Sequence, residues 1–179
     1  MAELNKDAAE LMVACGAHAC TDITGYALAG HLVEMARKSG VAAEIDLSKV
    51  PVFAAAKICL EHEILGGAIE RNQEYSMAWI RSPDASPYLP IIYDPQTSGG
   101  LLVALPEEKA SFFVSEMHKK GHPHTAIIGK AVETGKGTPE GTVPVTSTDL
   151  RHLAGSSTDA ISTSPRPSVA AKAQQKKQE

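Results

Sequence analysis

Short apolar segments of two different periods alternate along the first 150 residues of this chain, and most of them are closed by glycine or proline. That alternation constrains the fold more than any other feature, because each period demands a different element and each breaker limits its length. Leu4, Ala8, Leu11 and Met12 recur at helical spacing, with Asn5 as the expected N-cap, so a helix runs to about Cys15 and stops at Gly16. Ala19–Ile23 reads as a short strand. Thr24-Gly25 leads into a helix over Tyr26–Lys38, with Leu28, Leu32 and Met35 on one face and Ser39-Gly40 closing it. Ala42–Leu47 alternates like a strand, and Pro51 introduces a helix over Phe53–Leu60. Across residues 61–90 the breakers Gly66-Gly67, Ser82-Pro83 and Ser86-Pro87 predict mostly loop with short helical pieces, and Met77–Ile80 supplies a little core. Leu101–Leu105 reads as a buried strand. Pro106 starts a helix to about Lys120 with Glu107 and Glu108 at its positive end, and Gly121 stops it. Thr125–Val132 and Thr142–Thr146 complete the strands. Helices and strands alternating without internal repeats predict a layered α/β or α+β domain.

Composition sets the outer bounds. From Gly155 to Glu179 the chain is dominated by Ser, Thr, Pro, Ala, Gln and Lys and has no aromatic residue, so it cannot offset its ordering entropy. One domain over residues 1–150 and a polar, disordered tail over 151–179 are therefore expected. The 17 basic and 21 acidic side chains give a formal charge of −4, which offers no electrostatic reason to bind nucleic acid or an anionic membrane. No apolar run reaches the ~20 residues that span a bilayer, and the N-terminus lacks the basic and apolar stretches of a signal peptide. Cys15, Cys20 and Cys59 cannot close a disulfide framework, and no Asn-x-Ser/Thr acceptor is present, so a cytoplasmic location is expected.

Two segments carry more Gly, Thr, Ser and Asp than a core requires. In Cys20-Thr-Asp-Ile-Thr-Gly-Tyr-Ala-Leu-Ala-Gly-His31, Asp22 ends a strand, and Thr24 and Gly25 open a helix. One hard oxygen ligand beside backbone N–H donors suits Mg²⁺ with phosphate, while capping of the helix by Asp22 or Thr24 is the competing reading. A single carboxylate is too few ligands, so a metal here needs partners from elsewhere. In Tyr93-Asp-Pro-Gln-Thr-Ser-Gly-Gly100, Asp-Pro starts a turn, Thr97 and Ser98 offer hydroxyls, and Gly99 and Gly100 let a ligand or another strand approach closely. A tight turn feeding a strand explains the same residues. Cys15-x-x-His18-x-Cys20 is half a zinc pattern with no second pair, and small buried cysteines account for it better. Gly129-Lys-Ala-Val-Glu-Thr-Gly-Lys136 has the wrong glycine spacing for a phosphate-binding P-loop, and Gly137 stands where a hydroxyl is needed. His122-Pro-His124 sits at a helix-to-strand turn, where solvated histidines are expected.

Thr21–His31 and Asp94-Pro-Gln-Thr-Ser-Gly-Gly-Leu-Leu102 resemble the C-terminal-domain signatures of the selenophosphate synthetase (selenide, water dikinase) family. Leu4-Asn-Lys6, Ala8–Met12 and Glu70-Arg-Asn72 after Gly66-Gly67 follow in the family's order, over roughly residues 4–133. The resemblance implies a domain of the aminoimidazole ribonucleotide synthetase C-terminal type, with a mixed sheet flanked by helices. It implies ATP-dependent conversion of selenide and water to selenophosphate, AMP and phosphate, with Mg²⁺ required. By the same resemblance, Asp22 matches the carboxylate this domain contributes to the Mg²⁺–ATP site; Thr21, Thr24, Gly25, Thr97, Ser98, Gly99 and Gly100, which lie in the two signature segments, are expected near phosphate or nucleotide.

The catalytic cysteine or selenocysteine, the essential lysine and most metal-binding aspartates of the family belong to an N-terminal ATP-binding domain absent from this chain. None of the three cysteines matches that position, and dimer contacts of the full-length enzyme are expected largely in the missing domain. Gly25-Tyr-Ala-Leu28 departs from the usual Gly-Phe-Gly-Leu, and the longer spacing to Arg71 and Asn72 leaves those two without a firm role. The chain alone is expected to be catalytically inactive. A non-catalytic binding or regulatory module of the selenium pathway, and the C-terminal domain of another superfamily member such as aminoimidazole ribonucleotide synthetase, are the competing functions.

Overall fold

The structure is a computed structural model that describes residues 3–81, 86–134, 139 and 141–146; the expected tail and Gly137 lie outside the described residues. In chain order the elements are α1 (Lys6–Ala14), β1 (Ala19–Asp22), α2 (Ala27–Lys38), β2 (Ala42–Asp46), α3 (Ala54–Glu61), α4 (Ile69–Ser76), β3 (Ile80–Arg81), β4 (Leu101–Ala104), α5 (Glu107–Lys119), β5 (Gly129–Val132) and β6 (Val143–Thr146). Single-turn 3-10 segments occupy Leu47–Lys49 and Leu89–Tyr93.

The strands form two sheets. A four-stranded sheet runs β3-β6-β2-β5, with β6 parallel to both β3 and β2, and β5 antiparallel to β2. It is mixed, as the resemblance implies. The second sheet is a ribbon in which β1 pairs antiparallel with β4, Ala19 opposite Ala104 and Asp22 opposite Leu101.

Two apolar clusters hold these layers together. The larger joins Leu32, Val33 and Ala36 of α2, Ile45 of β2, Ile69 of α4, Ile80 of β3, Ile92, and Val143 and Val145 of β6. Burying each of the Leu, Val and Ile side chains among these contributes about 1.5–3 kcal/mol against exposure. Arg37 extends the cluster by laying its guanidinium 4.5 Å from the Trp79 ring centroid. The smaller cluster packs Cys15 at the end of α1 against Phe113 and Met117 of α5, with Ala8, Leu11, Met12 and Leu105 around them. Leu102 of β4 packs on the first cluster and Leu105 beyond it on the second, so the ribbon lies between them.

Several expectations are corrected. Asn5 occupies the N-cap of α1, but its side chain makes no capping bond; its Nδ2 lies 3.5 Å from Gly99 O instead. The short helical pieces expected in residues 61–90 include the two-turn helix α4, but its buried face is Ile69, Asn72 and Ser76 and so is mostly polar. Met77, expected to add core, is exposed. The strand β4 is half-buried along its length, because a two-stranded ribbon is not covered as an internal strand would be. Of the expected Thr125–Val132 strand only Gly129–Val132 forms β5, with Ile128 O still accepting from Asp46 N–H, since β2 ends at Asp46 and turns into Leu47–Lys49. Cys20 is exposed, because the alternation of β1 turns it outward together with Asp22. Gly129 begins a paired strand, which leaves no phosphate loop at that end of the motif.

His122 also departs from expectation. Its side chain is 19% exposed and sits between two carboxylates of the N-terminal segment, Nδ1 against Glu3 and Nε2 3.2 Å from Asp7 Oδ2. Lys120 reaches Asp7 Oδ1 at 3.1 Å, so the turn after α5 clasps the start of α1. The Asp7 hydrogen bond is the main cause that raises the His122 pKa above its ordinary 6.5, with Glu3 adding to it. The hydrogen bonds from His122 and Lys120 hold the Asp7 carboxyl below its ordinary 3.8. A raised histidine stabilises the fold fully below its unfolded pKa and loses that contribution as pH rises through the folded one; the lowered Asp7 loses its share as pH falls through its own. The melting-temperature difference between wild type and His122→Gln should therefore be greatest near pH 5–6 and shrink by pH 9. A difference that stays constant over that range would show that packing, and not charge, makes the clasp.

Candidate functional site

The two signature segments are far apart in sequence and meet at one end of the ribbon. Asp22 is the last residue of β1 and Leu101, its partner, the first of β4, so the Ile23–Gly25 loop and the Asp94–Gly100 loop leave the ribbon side by side. Backbone hydrogen bonds tie them: Ile23 N–H donates to Gly100 O at 3.0 Å, and Gln96 N–H to Thr24 O at 3.0 Å. At Gly99 the contact is closer still. A Cβ built there would stand 2.2 Å from Ile23 O, so a side chain at this position cannot coexist with the observed backbone. Gly99 is required here for space, whereas Gly100 meets nothing within 4 Å and is not.

Asp22 is exposed, and its carboxylate has no hydrogen bond or ion pair among the described residues. The capping alternative does not describe this geometry. The helix α2 starts at Ala27 with Tyr26 at its N-cap and no side-chain capping bond, and Asp22 lies upstream of it inside a strand. Thr24 is likewise engaged elsewhere: its Oγ1 is 3.0 Å from His31 Nε2, one helical stretch later on α2. The Tyr26 and His31 rings meet edge to face at 6.0 Å between centroids, and Tyr26 also packs on Tyr75 at 5.1 Å.

Cys20 neighbours Asp22 on the outward face. Partial desolvation of its sulfur, and then the Asp22 charge, push the thiol pKa up and keep it protonated. That is the opposite of what a nucleophilic cysteine needs.

The second loop is anchored in the core and strained at its tip. Tyr93 is buried at its start, which pushes its phenol pKa up, and Gln96 Nε2 donates 3.0 Å to Asp94 Oδ2. Thr97 and Ser98 are exposed, and Ser98 has a φ of 63°, the left-handed region that costs a non-glycine residue about 1–2 kcal/mol. Ala27 takes the same conformation, φ 59°, fully buried. The departure from the usual glycine thus places a methyl group where the backbone is left-handed.

Among the described residues no three His, Cys, Asp or Glu side chains come together in a way that would hold a metal ion. The donor set fits one hard oxygen ligand, Asp22, of a metal whose other ligands come from elsewhere, with the exposed hydroxyls of Thr97 and Ser98 and the backbone of Gly99-Gly100 alongside. Sequence reasoning found both loops through their Gly, Thr, Ser and Asp content. It gave no role to Asn72, whose Nδ2 donates to Gly25 O at 2.9 Å and to Tyr93 O at 3.0 Å.

Residues 2–141 match the family described as AIR synthase related protein, C-terminal domain. The chain belongs to this family. Over 134 residues it is 37% identical to the selenide, water dikinase of Caldanaerobacter subterraneus, covering 74% of this chain and 39% of that protein. It is 39% identical over 139 residues to the selenide, water dikinase of Citrifermentans bemidjiense, covering 78% of this chain and 40% of that protein. This AIR synthase related domain therefore spans about two-fifths of the length of the curated relatives it matches. Two solved structures share its fold: hydrogenase maturation protein HypE, at 21% identity and a TM-score of 0.60, and the same protein in complex with ATP, at a TM-score of 0.61. Each covers 82% of this chain, and the chain covers 39% and 38% of them. Both bear out an AIR-synthase-type α/β fold. Among the described residues no helix is long and apolar enough to cross a membrane.

Proposed function

We propose that this domain is the C-terminal part of an ATP-dependent enzyme that makes selenophosphate from selenide, with AMP and phosphate as the other products. The observation that carries the reading is the convergence of Asp22 and the Gly99-Gly100 turn at one end of the β1–β4 ribbon, the carboxylate exposed and without a partner among the described residues. The names of the curated relatives support the substrate. An ATP complex of a protein with the same fold agrees with a nucleotide site.

In this reading Asp22 is one ligand of a Mg²⁺ ion shared with carboxylates of an N-terminal ATP-binding domain, and bound Mg²⁺ would neutralise phosphate charge during transfer. Thr21, Thr24, Gly25, Thr97, Ser98, Gly99 and Gly100 form the phosphate-facing wall. Thr97 and Ser98 suit that role best, being exposed, whereas the Thr24 hydroxyl orients through His31. Residues 1–150 are the folded domain, and the full-length enzyme works in the cytoplasm, with a homodimer as its expected assembly.

Phosphoryl transfer needs positioning and charge neutralisation together, and one carboxylate beside a glycine turn supplies only part of each. Residues 1–179 alone should form no selenophosphate from ATP, Mg²⁺ and selenide, as followed by phosphorus NMR. The polypeptide that joins this domain to an ATP-binding domain should form it in a selenide-dependent way. Selenide-dependent turnover by 1–179 alone would overturn the division of labour. An intact enzyme that phosphorylates a different substrate would overturn the choice of selenide.

A further inference from the structure

Asn72 is 2% exposed on the buried face of α4, a helix whose sequence Ile-Glu-Arg-Asn-Gln-Glu-Tyr-Ser has a single aliphatic residue. A carboxamide with no access to water must bond all it can, and this one uses both hydrogens of a single nitrogen. One goes to Gly25 O at 2.9 Å and the other to Tyr93 O at 3.0 Å. Two carbonyl acceptors leave no ambiguity in the orientation of the amide, because only the nitrogen can serve both. The backbone of Asn72 is itself tied down, since Ser76 Oγ donates 2.7 Å to Asn72 O one turn later.

The two carbonyls are not arbitrary. Gly25 ends the loop that leaves β1 after Asp22, and Tyr93 precedes the Asp94–Gly100 loop that returns to β4. On the ribbon side the loops are joined by Ile23 N–H to Gly100 O and Gln96 N–H to Thr24 O. On the far side Asn72 is the link. The loops and the carboxamide thus make a closed ring, in which Asp22 and the glycine turn are fixed on one side by β pairing and on the other by one side chain.

We propose that Asn72 is the positioning residue of the candidate site, setting the separation of its two loops by donating to both. It reaches the candidate site only at the backbone carbonyl of Gly25, and it acts through the backbone that carries the groups expected to meet a ligand. The inference needs the two loops to be the site, and does not depend on which molecule is phosphorylated.

The test is amide hydrogen exchange on residues 1–179, comparing wild type with Asn72→Ala and with Ser76→Ala, which removes a buried bond of α4 while leaving the carboxamide in place. In Asn72→Ala the amides of Ile23, Ala27 and Gln96, which close the loops, should exchange at least tenfold faster beyond any change at Ala43 and Val143 of the main sheet. In Ser76→Ala the two groups of amides should change by the same factor. Asn72→Asp keeps the shape but turns an acceptor toward two carbonyls, and should open the loops at least as far as alanine does. Parallel loss of protection in both groups of Asn72→Ala would overturn the proposal by showing a general role in stability. Should Asn72→Ala not fold, Asn72→Ser retains one donor and is read in the same way; failure of both to fold also overturns it. The measurement uses no nucleotide or selenide, so an intact enzyme of different specificity would leave this result standing, and a negative exchange result would leave the functional reading standing.

Discussion

Gly99→Ala is expected to lower the stability of the domain by about 3 kcal/mol and to separate its two signature loops. Overpacking in a filled interior costs about 1–3 kcal/mol when the neighbours are side chains that can turn away. Here the neighbour is the carbonyl oxygen of Ile23, 2.2 Å from the added Cβ, in backbone held on either side by the Ile23 N–H to Gly100 O and Gln96 N–H to Thr24 O bonds, which any displacement strains. The upper end of the range therefore applies. Gly100→Ala is the matched control, since a Cβ there meets nothing within 4 Å and should change stability by no more than about 0.5–1 kcal/mol. Urea unfolding of the two variants checks this. Equal midpoints would mean that the close approach at Gly99 is not needed for the fold.

The second large effect concerns Asp22 in the full-length enzyme. Asp22→Asn keeps the shape and removes the charge, and Mg²⁺-dependent turnover should fall by on the order of 10²-fold or more, as when one preorganised electrostatic contact is lost. Stability should move by less than about 0.5 kcal/mol, because the carboxylate is exposed and bonds to nothing among the described residues. The Mg²⁺ concentration for half-maximal activity should rise in the same variant. Full activity at ordinary Mg²⁺ would remove Asp22 from the metal site.

The parts of the domain that were legible in the sequence are those whose residues have few conformational alternatives. α2 and α5 have an apolar stripe at helical spacing and stop at glycine, and they lie within a residue or two of their expected bounds. The two loops could be found because Asp, Thr, Ser and paired Gly are costly in a core and are placed there for turns or ligands. α4 could not be found by period, because its inner face is amide and hydroxyl, Asn72 and Ser76, and only the finished fold supplies the carbonyls that make those residues suitable for burial. The Asn5 side chain was expected to bond locally and instead extends toward a loop 94 positions away. His122 was misjudged for the same reason: its two carboxylates come from the opposite end of the domain. In each case the missing information is a long-range contact, which short-range patterns do not encode.

The β1–β4 ribbon also has a consequence for the order of events in folding. Its strands are joined by a connection that contains α2, β2, α3, α4 and β3, and a two-stranded ribbon has little stability of its own. Closing so long a loop costs entropy before the first ribbon bond repays any of it, so the ribbon is expected to pair after the intervening α2 and α4 have packed together and brought its strands near. On a ribosome, Asp22 emerges well before Gly99 and Gly100 and has no glycine turn beside it until β4 has followed. The candidate site is therefore expected to be among the last features of this domain to form and among the first to come apart.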